Sequence, residues 1–292
     1  MSKNIGIILD SFSCISEKDA ASLDLGFIPL IAEIDGEPIS DGVDKDRFEM
    51  LELIAKSNNL KTSLPFLSTF EKVFEQFCKK YDYVIFLPIS SFLSSTYNAA
   101  LTFKDTYPNL RVIDTSFVGQ QMLDVAKYAK IHYEKFQDID KLIESIKDIE
   151  SRSTTYIIPK DINYVIKGGR VSSFKKFLLS ALSKINLCPY IKFDKNGTST
   201  GGIGRGLKGS FKQILNKLAD KANTKIIDIQ KDYKIYNING IDKEFNKLSQ
   251  DFFAENKILF DDIKLNSSCI AIHTGPEAQS FTVMPDILKS IK

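Results

Sequence analysis

Hydroxyl-bearing residues recur in this sequence where predicted strands end. The segment KTS (residues 61–63) opens a loop before a helical pattern, and the Ser-rich segment 90–97 follows the strand-like run YVIFLPI. Asp10 closes an earlier apolar run. Ligands of open parallel sheets sit beyond the carboxyl ends of the strands, so hydroxyls collected there could hydrogen-bond a small anion or an acid. Each hydroxyl alone is more simply a helix cap, and only their number favours a binding site.

His273 and Arg170 are further candidates for contact with an anion. The segment CIAIHTGPEA (residues 269–278) predicts a strand that runs into a turn at a helix start, which would place His273 beside a positive helix end. Two glycines precede Arg170 and predict a fixed turn, from which the guanidinium could clamp a carboxylate or a phosphate. A structural role for His273 and an interdomain ion pair for Arg170 fit the sequence equally well.

A nucleophile-elbow motif occurs by letter at residues 197–201. The pattern G-x-S-x-G places Ser199 at its centre, and Asp228 and His273 follow in the chain order of a hydrolase triad. The segments on either side, FDKN and GIGRG, predict a hairpin turn and a strand instead of the strand, sharp turn and helix that an elbow needs. The match by letter is enough to keep a serine hydrolase of the esterase type, using Ser199 and His273, as the alternative function.

Cofactor and metal motifs are weaker still. Residues 204–209 match G-x-G-x-x-G, but a polar, Gly-rich segment precedes them, they lie late in the chain, and no Walker A lysine follows. The four cysteines show no C-x-x-C spacing; they are Cys14, Cys78, Cys188 and Cys269. We therefore expect no cofactor and no metal site.

The pattern of elements predicts an α/β protein with two domains. Short apolar runs alternate with amphipathic stretches through the first half, which favours a mostly parallel, Rossmann-like sheet covered by helices. From about residue 153 more strand-like segments follow, with hairpin chemistry at Asn196-Gly197, which favours a second, mixed α/β domain. We predict domains at residues 1–158 and 159–292, with a ligand cleft between them.

Composition excludes several classes of function. The 292 residues are 43% hydrophobic, enough for sizeable cores, and 39 basic against 37 acidic residues leave a net charge of +2. Nucleic-acid binding needs basic residues concentrated on one face, and we expect none here. No run approaches the roughly 20 apolar residues that span a bilayer, and the first apolar run is too short for a signal peptide, so we expect a cytoplasmic protein.

Six motifs in order resemble the DegV family, whose members include fatty-acid-binding partners of a fatty acid kinase. The motifs span the chain from Asp10 to Pro276 and are ILDS, KTSLPF, ISSFLSSTYNAA, IDTSFVGQ, INYVIKGGRV and HTGP. The resemblance implies a carrier and not an enzyme. It would hold a long-chain fatty acid in an apolar tunnel and present the carboxyl group to a separate kinase. It would then carry the acyl phosphate, with transient membrane contact possible.

The resemblance also implies which residues surround the acyl head group. They are Thr62, Ser63, Ser94, Ser95, Thr96, Arg170, Arg205, His273 and Thr274. Ser95 stands where the family usually has glycine, and the segment HTGPEAQS lacks the family's Gly-rich continuation after Pro276. We expect these departures to alter chain selectivity or partner affinity.

Overall fold

A computed structural model describes residues 4–169 and 186–291 of the chain; Arg170 lies outside these ranges. The strands in the described ranges are β1 Ile5–Asp10, β2 Gly26–Ile28, β3 Ile31–Ile34, β4 Glu37–Ser40, β5 Leu60–Ser63, β6 Tyr83–Leu87, β7 Leu110–Val112, β8 Thr154–Ile158, β9 Leu187–Asp194, β10 Gly197–Arg205, β11 Tyr233–Asn239, β12 Asp262–Leu265 and β13 Gln279–Pro285.

Helices separate most of these strands. The α-helices in the same ranges are α1 Glu17–Ser22, α2 Arg47–Lys56, α3 Leu67–Lys80, α4 Thr96–Leu101, α5 Gln120–Phe136, α6 Ile139–Ser151, α7 Ile162–Lys167, α8 Gly206–Ala222, α9 Lys243–Glu255, α10 Ser268–Thr274 and α11 Ile287–Ser290. Two 3-10 helices, Ser11–Ser13 and Ile226–Lys231, accompany them. None of the described helices is long and apolar enough to cross a bilayer.

The first half of the chain forms a parallel four-stranded sheet in the order β2-β1-β6-β7. Every residue of β1 is buried, as expected for a strand covered on both faces. Helix α3 covers one face through Phe70 and Phe74, whose rings lie within 6.2 Å of the Phe86 ring in β6. The predicted parallel sheet covered by helices is confirmed. A small antiparallel sheet, β4-β3-β5, extends this half.

The second half forms a six-stranded mixed sheet in the order β10-β9-β8-β13-β11-β12. Among the described strands of this sheet, β11 and β12 pair in parallel and the other neighbours pair antiparallel. The expected β9–β10 hairpin is present: Gly197 pairs with Asp194 and takes the positive φ of +84° that closes the turn. Strand β8 lies between β9 and β13 in this sheet, although it precedes residue 158. The division into domains after residue 158 stays a prediction. The strand-like pattern located β8, but long-range pairing decides which sheet receives it.

The segment around His273 is a helix, not the expected strand. Ser267 caps α10 by accepting a hydrogen bond from the Ile270 amide at 3.3 Å, and Gly275 ends the helix with φ +96°. Capping at both ends therefore overrides the β-branched residues within the segment. His273 lies in the last turn, at the negative end of a helix, and not beside a positive end as predicted.

One continuous apolar cluster joins the two halves. Residues of the first sheet and its helices, such as Leu9 and Val125, share it with Phe193, Ile238 and Met284 of the six-stranded sheet. A second, aromatic-rich cluster lies on the other face of the six-stranded sheet, beneath α8 and α9. The halves thus pack directly on each other, and the inner face of the six-stranded sheet faces the first half.

Candidate functional site

A cavity of about 250 Å³ lies between the two halves. Its walls are the carboxyl-end loops of β1 and β6, the inner face of the six-stranded sheet, and helix α10. Most of the side chains around it are apolar; they include Phe12, Leu30, Ile89, Leu93, Val118, Ile157, Val165, Ile191, Phe193, Ile238 and Ile270. Such a space suits an apolar ligand held by a few polar groups.

Thr62 and His273 form the best-defined polar pair at this cavity. The Thr62 Oγ1 and His273 Nε2 atoms are 2.9 Å apart, although 211 residues separate them in the sequence. Both side chains are partly buried and line the cavity. The pair forms because α10 packs against β3 and β5 of the small antiparallel sheet. The hydroxyl can donate or accept here, so the pair can adapt to either protonation state of an acidic ligand.

Gly168 lies against the His273 ring and fixes the position of that ring. A Cβ atom at residue 168 would lie only 2.6 Å from the His273 Nδ1 atom and 3.0 Å from the Tyr164 carbonyl oxygen. Only glycine therefore lets the end of α7 approach the ring this closely. The sequence predicts a fixed turn at Gly168-Gly169, but it gives no sign of the contact with His273.

The segment 94–96 presents Ser94 to the cavity. The Ser94 Oγ atom lies 2.8 Å from the Thr96 Oγ1 atom and accepts a hydrogen bond from the Thr96 amide at 3.3 Å. Thr96 is fully buried and does not line the cavity in the described structure, so it positions Ser94 from behind. Ser95 is exposed and borders the cavity.

Two buried carboxylates tie the walls together. The Asp10 carboxylate accepts hydrogen bonds from the Phe12 amide at 2.9 Å and the Ile89 amide at 2.6 Å, which joins the ends of β1 and β6. Burial of Asp10 raises its pKa to about 7. The Asp41 carboxylate accepts from the amides of Ser268 and Cys269 at 3.4 and 3.3 Å, and so anchors the start of α10. Sequence reasoning missed the role of Asp41, because these two amides lie more than 200 residues away in the chain.

The other predicted site residues are more peripheral. Ser63 borders the cavity, but it is exposed and its hydroxyl donates to the Glu33 carboxylate. Thr274 also borders it, and its hydroxyl donates to the Ile270 carbonyl at 3.0 Å. Arg205 is the last residue of β10, is exposed, and is not among the described residues that line the cavity.

The hydrolase and dinucleotide motifs have structural explanations. Ser199 is an exposed residue within β10, so the strand, turn and helix of a nucleophile elbow are absent there, and Asp228 pairs with Lys231 at 2.7 Å. A Cβ atom on Gly204 would lie 2.1 Å from the Ser210 amide nitrogen, so this glycine lets β10 pack closely on α8. The described residues contain no cluster of His, Cys, Asp or Glu that could hold a metal ion.

Comparison with known proteins places this fold. A family model described as "Uncharacterised protein, DegV family" matches residues 4–286. The chain belongs to the DegV family. The DegV domain-containing protein MG326 of Mycoplasma genitalium is 30% identical to it over 97% of this chain and 99% of that protein. The YejH protein of Lactococcus lactis, another DegV domain-containing protein, is 29% identical over 96% of this chain and 98% of its own length.

Solved DegV structures share the two-domain α/β fold. A DegV-family protein from Thermus thermophilus, described by its fatty acid binding, superposes with a TM-score of 0.83 at 20% identity, over 97% of this chain and 99% of that one. DegV of Bacillus subtilis, described as a fatty acid binding protein, gives 0.80 at 20% identity over 98% and 100%. A stearic-acid-binding protein from Eubacterium ventriosum gives 0.80 at 21% identity over 98% and 99%.

Proposed function

We propose that this chain is a carrier that binds one long-chain fatty acid in the cavity between its two halves. The observation that carries the proposal is an apolar cavity with the Thr62–His273 hydrogen bond in its wall. The fatty acids named for three structural relatives support the choice of ligand. The acyl carboxyl group would lie against Thr62, Ser94 and His273, and the chain would run along the apolar walls.

Affinity would come mainly from the acyl chain. Each buried methylene contributes about 0.8 kcal/mol, so roughly 16 carbons offer on the order of 10 kcal/mol before the costs of association and ordering. An unpaired buried carboxylate would cancel much of this gain. The hydroxyls of Thr62 and Ser94 and the His273 imidazole can hydrogen-bond either the acid or the anion, which removes that cost.

The chain would present the carboxyl group to a separate fatty acid kinase and then carry the acyl phosphate. The polar residues that support this step border the cavity where it meets the surface: Ser63 and Ser95 are both exposed. A carrier with this role needs no phosphoryl-transfer machinery of its own, because the kinase binds ATP and supplies the catalytic groups.

Transient contact with a membrane would load the carrier. Three apolar side chains near the cavity are exposed by more than half: Phe66 by 53%, Leu67 by 62% and Phe92 by 58%. Leu64, in the same loop as Phe66, both lines the cavity and is 41% exposed. Such a patch can lie in the headgroup region of a bilayer while an acyl chain crosses into the protein.

Native mass spectrometry tests the ligand, followed by denaturing extraction of whatever co-purifies. We expect a mass increment that resolves into a long-chain fatty acid. Thr62→Val should weaken fatty acid affinity about tenfold by removing the hydroxyl at the head group, while Thr62→Ser, which keeps it, should retain affinity. An empty protein that takes up no added fatty acid would overturn the proposal.

The kinase step needs its own assay. Carrier loaded with fatty acid is mixed with a bacterial fatty acid kinase and ATP, and acyl phosphate is measured on the carrier. Loaded carrier without kinase should form none. Hydrolysis of an ester substrate by the chain alone, abolished by Ser199→Ala, would instead support the hydrolase alternative.

A further inference from the structure

The floor of the cavity carries a polar stripe that the head-group site does not use. In the six-stranded sheet, Ser280 pairs with Ile157 on one side and with Ile238 on the other. Paired residues share one face of a sheet, so these three side chains form a row across the inner face. Ser280 therefore places a hydroxyl between two isoleucines that line the cavity.

A second pair of hydroxyls lies one row away. Thr155 pairs with Thr282 across β8 and β13, and their Oγ1 atoms are 2.8 Å apart. Two residues along a strand span about 6.6 Å, so Ser280 and Thr282 are neighbours on the same face. The stripe consists of Ser280, Thr282 and Thr155, and both Ser280 and Thr155 line the cavity.

The hydrogen bonding of this stripe is incomplete. The Ser280 Oγ atom is buried and has no partner within the part of the chain that the structure describes. Thr155 and Thr282 share one hydrogen bond between two hydroxyls, so that bond uses only one of their two protons. A buried hydroxyl without a partner is costly, so the unpaired Ser280 hydroxyl and the spare proton of the Thr155–Thr282 pair are groups that a ligand could satisfy.

The two polar regions of the cavity belong to different elements. The carboxyl group proposed above meets Thr62 on β5 and His273 on α10, whereas the stripe lies on β8 and β13. A saturated hydrocarbon chain that crossed the stripe would bury its hydroxyls without a hydrogen bond. A chain with an oxygen at that depth would pair with them.

We propose that the stripe selects a long-chain fatty acid that carries a hydroxyl or keto oxygen along its chain. This inference rests on the proposed fatty acid binding and narrows its ligand class. Ser280 would donate to the chain oxygen, and the spare Thr155–Thr282 proton provides a second donor. A chain hydroxyl could also accept from one and donate to the other.

Competition binding tests the proposal with octadecanoic acid and octadecanoic acids that bear one hydroxyl at successive mid-chain carbons. In the wild-type protein we expect at least one hydroxylated isomer to bind as tightly as the plain acid or more tightly. Ser280→Ala should lower the affinity of that isomer relative to the plain acid about tenfold, since a good hydrogen bond is lost. The wild-type series needs no variant to fold.

The matched control removes a buried hydroxyl elsewhere. The Ser249 hydroxyl is fully buried in α9, donates to the Asn246 carbonyl at 2.8 Å, and does not line the cavity. Ser249→Ala should keep the wild-type ratio between hydroxylated and plain acids.

Two results would contradict the proposed selection of oxygenated fatty acids. They differ in whether the proposed carrier function also fails. If the plain acid binds but every isomer is weaker by the same factor in wild type and in Ser280→Ala, water satisfies the stripe and the carrier function stands. If neither plain nor hydroxylated acids bind, the proposed carrier function fails as well.

Discussion

The same strands form both faces of the six-stranded sheet, but one face is a packed core and the other borders a cavity. The outer face, beneath α8 and α9, is filled with aromatic rings: Phe281 stacks on Phe253 with centroids 5.0 Å apart and meets Phe211 edge-on at 5.6 Å. The inner face carries smaller side chains, among them Ser280 and Thr155, and leaves a cavity. Neighbouring residues of β13, such as Ser280 and Phe281, therefore point to opposite faces, one toward the cavity and one into the packed core.

This difference follows from the two-residue period of a strand, which points successive side chains to opposite faces of the sheet. Residues at odd positions of β13 support the core, and those at even positions face the other half of the molecule. A substitution on the outer face should therefore cost stability, and one on the inner face should change binding. Phe281→Ala and Ser280→Ala test that division directly, and the changes at Asp10 and Gly168 test the walls of the cavity that the inner face borders.

Phe281→Ala should cost about 3–5 kcal/mol of unfolding free energy, because it leaves a cavity among rings that cannot close it. Urea denaturation monitored by circular dichroism measures the change. Phe136→Ala, at a side chain that is 52% exposed, is the control and should change stability far less. A small loss for Phe281→Ala would mean that the outer face is not the main core.

Asp10 should make stability fall as the pH rises. Its pKa in the folded state is about 7, above the ordinary value near 4, because the carboxyl group is fully buried. The stabilising contribution is therefore fully present below about pH 4 and is lost as the pH rises through 7, on the order of a few kcal/mol. Unfolding free energies measured between pH 4 and 8 should show this slope.

The control for that slope is Asp10→Asn. The variant is expected to be less stable throughout, since an amide cannot accept from both Phe12 and Ile89 as the carboxylate does. His132, whose pKa burial lowers, contributes an opposite slope in both proteins, so the difference between them isolates Asp10. Equal slopes in the two proteins would contradict the assignment.

Gly168→Ala should weaken fatty acid affinity about tenfold, an effect near 1.4 kcal/mol. The added methyl group would push His273 away from Thr62, while the φ of −65° at residue 168 is one that alanine adopts. Isothermal titration with octadecanoic acid measures the change. Gly169→Asn is the neighbouring control, because a Cβ atom there meets none of the described residues within 4 Å and asparagine tolerates its positive φ. Equal losses in both variants would point to the loop and not to the ring contact.

Local pattern predicted most of the elements correctly. The apolar run that Asp10 closes is β1, the run YVIFLPI contains β6, and Asn196-Gly197 closes the β9–β10 hairpin, because these depend on nearby residues alone. The β-branched residues of the His273 segment favour a strand, but Ser267 and Gly275 cap the segment at both ends and it forms a helix.

Long-range contacts account for what the sequence left hidden. Thr62 and His273 were both predicted for the head group, but only the packing of α10 on β5 brings them to 2.9 Å. Ser280 was not singled out, since one serine in a strand says nothing until its register assigns it a face. The contact between Gly168 and His273 likewise exists only in the folded chain.

Ser280→Ala should have the smallest effect on stability, and the sign of this effect should be opposite to that of Phe281→Ala. Replacing a buried hydroxyl that lacks a partner with a methyl group removes a desolvation cost, so the ligand-free protein should gain up to about 1 kcal/mol. Urea denaturation of delipidated protein, with Phe281→Ala in the same series, measures both faces of one strand together. A loss for Ser280→Ala comparable to that for Phe281→Ala would mean that the inner face is also packed for stability, and the division between the two faces would fail.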